Sequence, residues 1–329
     1  MAPTLSLPAT LPKEAPSAPS DELQYADVAV TATANEFEGI YRGKKYHPTD
    51  IYGMLDRAKS ANVHRVLLTG MSLHDVEFNL AIAQARSDQC GMTVGVHPYH
   101  AAQPETEDDY LERLANAVDG LIQQKPRLIR AFGELGLDYD RLDHAGKEVQ
   151  IRTFRAQLDL FVTRKWDLPL FLHCRAAFDD FVAIISPYIP SLPRMGLVHS
   201  FVGTVAQMRK LIELGFDISV NGFSFKNWSS LEMVNKVPLE KLQLETDAPW
   251  GEVRDGDELW RRYGANFNGV EAKRKKKDKW EEGHMVRDRN ESCCAARVAF
   301  VTAGCQGRSV AEIAGAAWRN STKMFWSDT

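Results

Sequence analysis

The chain has 329 residues, 44% of them hydrophobic, enough to bury a large core and too apolar for a fibrous or wholly disordered protein. Forty Lys and Arg against 44 Asp and Glu leave a net charge of -4, so the molecule as a whole does not attract polyanions, and any nucleic-acid function has to rest on a local site. Five cysteines (Cys90, Cys174, Cys293, Cys294, Cys305) without a C-x-x-C pair indicate neither a disulfide framework nor a structural zinc site, and suit a reducing, intracellular compartment.

Residues 1–22 are rich in Pro, Ala and Ser and lack the apolar core of a signal peptide, so they are expected to form a disordered tail ahead of one domain spanning 23–329. No stretch is long and apolar enough to cross a bilayer, and no membrane role is expected. Short runs rich in Val, Leu, Ile and Phe then recur: ADVAV (26–30), RVLLTG (65–70), MTVGVHP (92–98), LIRAFGELGLD (128–138), PLFLHC (169–174), GLVHSF (196–201), FDISVNG (216–222) and KLQLETDAPW (241–250). Between them lie segments with apolar residues at helical spacing, such as PTDIYGMLDRAKSAN and KEVQIRTFRAQLDLFVTRK. This alternation predicts parallel strands joined by crossover helices, and eight units predict a closed (β/α)8 TIM barrel.

In such a barrel the active site is built at the C-terminal ends of the strands. Polar residues stand at that end five times: His97 after the third run, Glu134 in the fourth, His173 at the end of the fifth, His199 in the sixth and Asp247 in the eighth. Singly, each has an ordinary explanation as a hydrogen-bonded core histidine or a turn residue. Their shared position is what points to a site, since imidazoles and carboxylates at one mouth make a ligand set for one or two divalent cations. Arg175, two residues after His173, offers a guanidinium that can hold a phosphate oxygen pair, or an ion pair with a rim acid.

The stretches TVGVHPY, FGELGLDYDR, PLFLHCR, LVHSFVGT and LETDAPW, in this order, resemble the TatD family of metal-dependent DNA hydrolases, from about Tyr25 to the C-terminus. EGIYRGKKYHP and WEEGHMVRDRNES are similar to its eukaryotic members in particular. The resemblance implies an amidohydrolase-like barrel with a divalent metal site at its mouth. By motif position, Glu134 matches the carboxylate that bridges the metals, and His173 and His199 match ligands of one cation. Asp247 matches the ligand that also takes a proton from the attacking water, and His97 matches a histidine near the substrate phosphate.

One departure from the family pattern stands at the first strand, where ADVAVTATANEF carries Thr31 and Thr33 in place of a His-x-His ligand pair. Hydroxyls are poorer ligands than imidazole but can orient waters around a hydrated magnesium. The expectation is one cation on Glu134, His173 and His199, or a weaker second magnesium held by Asp247, Glu134 and waters, with zinc and manganese as other candidates.

EAKRKKKDKW (271–280) is a basic run that suits a phosphate-gripping patch, a nuclear localisation signal or a solvated loop. Tyr99, Phe225, Trp228 and Trp250, near strand ends, are candidates to stack on unpaired bases. The expected activity is metal-dependent hydrolysis of DNA, trimming single strands or frayed ends from the 3′ side, in the cytoplasm, the nucleus or both. Two alternatives stay open: hydrolysis of a small ester or amide in the same barrel, and a catalytically weak scaffold for protein partners that lost its metal with the His pair.

Overall fold

The computed structural model describes residues 7–327. Eight parallel strands follow the predicted rhythm: β1 (Tyr25–Val30), β2 (Val63–Leu68), β3 (Cys90–Val94), β4 (Ile129–Asp138), β5 (Leu170–Arg175), β6 (Gly196–Val198), β7 (Asp217–Val220) and β8 (Leu242–Leu244). They pair in sequence order, and the bridge between Val30 and Ala248 joins the last strand's end to the first, closing the barrel. Crossover helices cover the outside, among them α1 (Ile51–Ser60), α2 (Val76–Ala85), α3 (Tyr110–Gln123), α4 (Lys147–Arg164), α5 (Phe178–Ile185), α6 (Val205–Glu213) and α7 (Trp228–Lys236), followed by α8 (Ala295–Gln306) and α9 (Val310–Phe325).

Strand alternation divides the core in two. On β5, Leu170, Leu172 and Cys174 join the large cluster between barrel and helices, whereas Phe171 joins Ala29, Leu67, Ala131 and Leu197 inside the barrel. Phe325 and Trp326 at the end of α9 complete this inner cluster from the N-terminal side of the strands. The inner layer is therefore apolar, and the imidazole of His199 lies stacked on the Phe171 ring with centroids 4.7 Å apart. By the same alternation His173 and Arg175 share the inward face with Phe171. An apolar strand ends on polar groups because its last inward positions lie above that apolar floor.

Residues 7–22, expected to be part of a disordered tail, make definite contacts, and residues 1–6 of that tail lie outside the described residues. Leu11 is buried, the carbonyl of Pro12 accepts from the Tyr263 hydroxyl at 2.7 Å, and that of Pro16 accepts from the Asn266 amide at 3.1 Å. Extended Pro-rich chain leaves its carbonyls free, so side-chain donors on the barrel's outer shell can hold it without secondary structure. Among the described residues no helix is long and apolar enough to cross a membrane.

Candidate active site

Glu134 owes its position to an irregularity in β4. Phe132 and Gly133 pair with Leu170 and Phe171, but the register then skips, so that Leu135 pairs with Leu172 and Glu134 is left as the extra residue. Its own N–H donates to the carbonyl of Gly70 at 3.1 Å, and the bulge turns the carboxylate into the barrel mouth. Gly133 and Gly136 flank it at φ of 147° and 149°. A Cβ on either would overlap the carbonyl oxygen of Phe171 or of His173, so only glycine fits these two positions.

Three imidazoles converge on one oxygen of this carboxylate. Glu134 Oε1 lies 2.5 Å from His199 Nε2, 2.8 Å from His173 Nδ1 and 3.3 Å from His97 Nε2. All four residues are buried. Burial by itself would raise the Glu134 carboxyl, but the imidazoles of His199 and His97 and the bonds from His173 and His199 hold it well below the usual carboxylate range. Burial lowers His199, yet Glu134 and Glu245 outweigh it and push the ring well above its ordinary value. His173 is likewise raised against its burial, by the carboxylates of Asp138 and Glu134.

His97 goes the other way. Burial drives it down to about 4, with only partial compensation from Glu134, and the neighbouring His173 and His199 lower it further. Its Nδ1 accepts the backbone N–H of Tyr99 at 3.1 Å, which fixes the neutral tautomer with the proton on Nε2. His97, Glu134 and His173 offer donor atoms within 4.8 Å of one another, close enough to share an ion. The tautomer nevertheless makes His97 a hydrogen-bond donor, and the anion its Nε2 faces in this structure is the Glu134 carboxylate.

Asp247 stands at the other side of the mouth. It follows β8 by three residues, and Trp250 N–H closes a turn onto its carbonyl at 2.9 Å. Its Oδ2 is 3.5 Å from Ser200 Oγ, which links it to the turn just after His199. Burial raises the Asp247 carboxyl to about 6, with the charges of Glu245 and Glu134 adding to burial and those of His199 and Arg175 opposing it. Ala176, Ser200 and Asp247, which stand just beyond β5, β6 and β8, all adopt left-handed backbone (φ 52°, 46° and 56°), a conformation costing a non-glycine residue ~1–3 kcal/mol. Arg175 makes no ion pair with a rim acid among the described residues. Its Nη2 donates to the carbonyl and hydroxyl of Ser200 at 3.0 and 3.3 Å, and its Nε has no hydrogen-bond partner.

A cation suits this donor set. Two imidazole nitrogens press on one carboxylate oxygen, and the same groups, with the rings neutral, present two nitrogens and an oxygen to a divalent ion, a set that zinc and manganese favour over magnesium. The buried Nδ1 of His199 forms no hydrogen bond, with Glu245 Oε1 3.5 Å away and out of bonding geometry. At the first strand Thr31 is buried and its hydroxyl meets that of Thr69 at 3.1 Å, whereas Thr33 lies half-buried in the following turn.

Four polar residues at the site had no role in the sequence reasoning. Asp138 takes His173 Nε2 at 3.1 Å; Glu245 accepts from Ser219 at 2.6 Å and Asn221 at 2.8 Å; Ser200 receives Asn221 Nδ2 at 2.9 Å; Thr69 meets Thr31. Asp138 and Glu245 share strand parity with Glu134 and Asp247, the one signal that could have found them. Of the aromatic candidates, Phe225 is buried, Tyr99 is stacked on His144 at 4.3 Å, and Trp228 and Trp250 are exposed.

The profile of the family described as TatD related DNase matches residues 41–326. The chain is 40% identical over 311 residues to the deoxyribonuclease Tat-D of Schizosaccharomyces pombe, covering 92% of this chain and 96% of the relative. It is 32% identical over 233 residues to the 3'-5' ssDNA/RNA exonuclease TatD of Erwinia amylovora, covering 70% of this chain and 81% of that protein. In structure it is similar to an uncharacterized amidohydrolase from Saccharomyces cerevisiae, with a TM-score of 0.83 at 28% identity over 92% of this chain and all of that one.

Proposed function

Because the chain belongs to the TatD related DNase family, we propose that it is a divalent-cation-dependent hydrolase of DNA phosphodiester bonds, removing nucleotides from the 3′ end of single strands or frayed duplexes. The observation that carries this is the convergence of His173, His199 and His97 on one oxygen of Glu134 with Asp247 across the mouth. Glu134, His173 and His199 would hold the cation, with Asp247 facing it, and the bound ion supplies Lewis acidity for activating water and neutralising charge on the phosphoryl group.

The protein groups then divide the work. Asp247, its carboxyl raised to about 6, is ionised at neutral pH yet basic enough to accept the proton of an attacking water. His97 directs its Nε2 proton at Glu134 Oε1, 3.3 Å away, and by turning from that contact the neutral ring would donate the same proton to a phosphate oxygen. Arg175, steadied by Ser200, offers its remaining N–H groups to a second oxygen of the same phosphate. Asp138 orients His173 by taking its other ring nitrogen, the arrangement that commonly sets the tautomer of a ligating histidine.

The test is metal content of the purified protein beside single-turnover cleavage of a 3′-labelled single-stranded oligonucleotide, with magnesium or manganese and with chelator. Near-stoichiometric metal with chelator-sensitive release of mononucleotides is expected. Hydrolysis of simple esters with intact oligonucleotide would sink the proposal in favour of a small-molecule hydrolase, and no metal with no cleavage would favour a scaffold.

A further inference from the structure

The basic run 271–280 remains without a role in this chemistry, and its side chains sort into two groups. Arg274 faces inward, paired with Glu252 and lying 3.9 Å from Cys294 Sγ, and Lys275 pairs with Glu281 at 2.9 Å. Arg274 and Lys275 also form a short parallel ladder with Met285 and Val286, which fixes the loop. Lys273, Lys276, Lys277 and Lys279 are left without an ion pair among the described residues, and all but Lys277 are exposed. Glu271, one of two acids in the run, is taken by Arg297.

Lys277 leads to a second segment. Its ammonium lies 4.9 Å from the ring centres of both Tyr41 and Tyr46, on a small hairpin in which Ile40–Tyr41 pairs with Lys44–Lys45. The hairpin adds Arg42 and Lys44, both exposed, with Lys44 5.1 Å from the Tyr46 ring. Trp280, at the end of the basic run, stacks on His47 just beyond the hairpin at 5.4 Å and 10°. Two segments far apart in sequence thus form one surface of spaced cations interleaved with aromatic rings.

Both segments are loops that follow a strand, β1 for the hairpin and β8 for the basic run, so they rise from the same end of the barrel as the site. The basic loop continues into Asn290, whose amide bonds the carbonyls of Thr246 and Trp250 in the turn that carries Asp247. Cations without acid partners suit a chain of phosphates, and rings between them suit unpaired bases, which present π-faces. A lipid surface would use the cations but has no need of stacked rings.

Building on the deoxyribonuclease proposal, we infer that the surface formed by the 40–46 hairpin and the 273–280 loop is a binding track for the body of a single-stranded polynucleotide whose 3′ end enters the barrel mouth. The track grips backbone and bases without sequence preference and takes no part in bond breaking. It raises affinity for strands long enough to reach it.

Fluorescence anisotropy in chelator, where no cleavage occurs, tests this with labelled oligothymidine of 30 and of 4 nucleotides. The full-length variant Lys273→Gln/Lys276→Gln/Lys277→Gln is expected to bind the 30-mer roughly tenfold more weakly at low salt, with the slope of log K against log salt reduced by about 2. Arg42→Gln/Lys44→Gln is expected to act in the same direction and less strongly, and binding of the 4-mer is expected to stay as in the wild type. Unchanged 30-mer binding in both variants overturns the track, as does an equal loss for both lengths. Binding of phosphatidylserine vesicles that the variants lose while 30-mer binding survives also overturns it, in favour of a membrane surface. Cleavage of the 4-mer with magnesium is scored separately: its absence in the wild type sinks the deoxyribonuclease proposal, while the anisotropy arm still decides the track.

Discussion

The two sides of the barrel mouth are built from different chemistry. On the side of β3 to β6, three imidazoles surround Glu134, each set by a specific partner: Tyr99 N–H for His97, Asp138 for His173 and the Phe171 ring beneath His199. On the side of β8, β1 and β2 stand the Asp247 carboxylate, which the Ser200 hydroxyl reaches from across the mouth at 3.5 Å, and the paired hydroxyls of Thr31 and Thr69, with no imidazole among them. Imidazole nitrogen competes well with water for a divalent ion, and a neutral hydroxyl does not. The contrast teaches that the donor atoms suited to a divalent ion are concentrated on the imidazole side, while the other side offers one carboxylate and neutral hydroxyls.

The most damaging way to break the comparison is Glu134→Gln. It removes the charge on which the imidazoles converge, and both cation content and cleavage are expected to fall, the rate on the order of 10³-fold or more. Metal analysis beside a cleavage assay checks it, and a variant that keeps both would refute the assignment of Glu134. On the opposite side, Asp247→Asn is expected to slow cleavage by about 10²–10⁴-fold, the usual contribution of a positioned general base, while the tightly held cation stays. Loss of cation together with rate would instead make Asp247 a ligand of that first ion.

A smaller effect sharpens the imidazole side. Asp138→Asn leaves His173 without its anionic partner and is expected to weaken cation affinity by about 10–100-fold, measured by chelator competition, with a modest effect on the saturated rate. The smallest effect lies beneath the hydroxyl side. Asp27 accepts from Thr246 N–H at 2.8 Å and from the hydroxyls of Thr246 and Ser292 at 2.6 Å each, yet burial raises it to about 7. For a carboxyl raised on folding, the stability it confers is complete below about pH 4 and is lost as pH climbs toward 7. Asp27→Asn is therefore expected to flatten the decline of melting temperature over that window by a few °C, and an unchanged profile would show that the three donors keep Asp27 ionised throughout.

The barrel was legible because eight buried parallel strands read as eight apolar runs, and crossover helices show their own period between them. The sequence also pointed to Glu134, His173, His199 and Asp247, because each interrupts or ends such a run. Strand boundaries were less visible: β6 and β8 each end before the residue that carries the chemistry, since His199 and Asp247 stand in the turns that leave the barrel. Asp138 and Glu245 were hidden for another reason. Their importance comes from which ring or amide they touch across the mouth, and a single sequence does not print cross-strand neighbours. The stretch 7–22 misled because a Pro- and Ser-rich composition looks the same whether its carbonyls face water or, as with Pro12 and Pro16, a Tyr hydroxyl and an Asn amide.

The left-handed residues that leave β5 and β6 have a consequence for anyone seeking a more heat-tolerant version of this enzyme. Ala176 and Ser200 hold conformations that glycine adopts freely, so a glycine at either position would relieve backbone strain in the native state. The same change would also slacken the strand exits that aim Arg175 and His199, and at Ser200 it would delete the hydroxyl that Arg175 and Asn221 share. Robustness and turnover pull against each other at these two exits, so a selection for thermal tolerance alone would be drawn toward substitutions that a selection for turnover rejects.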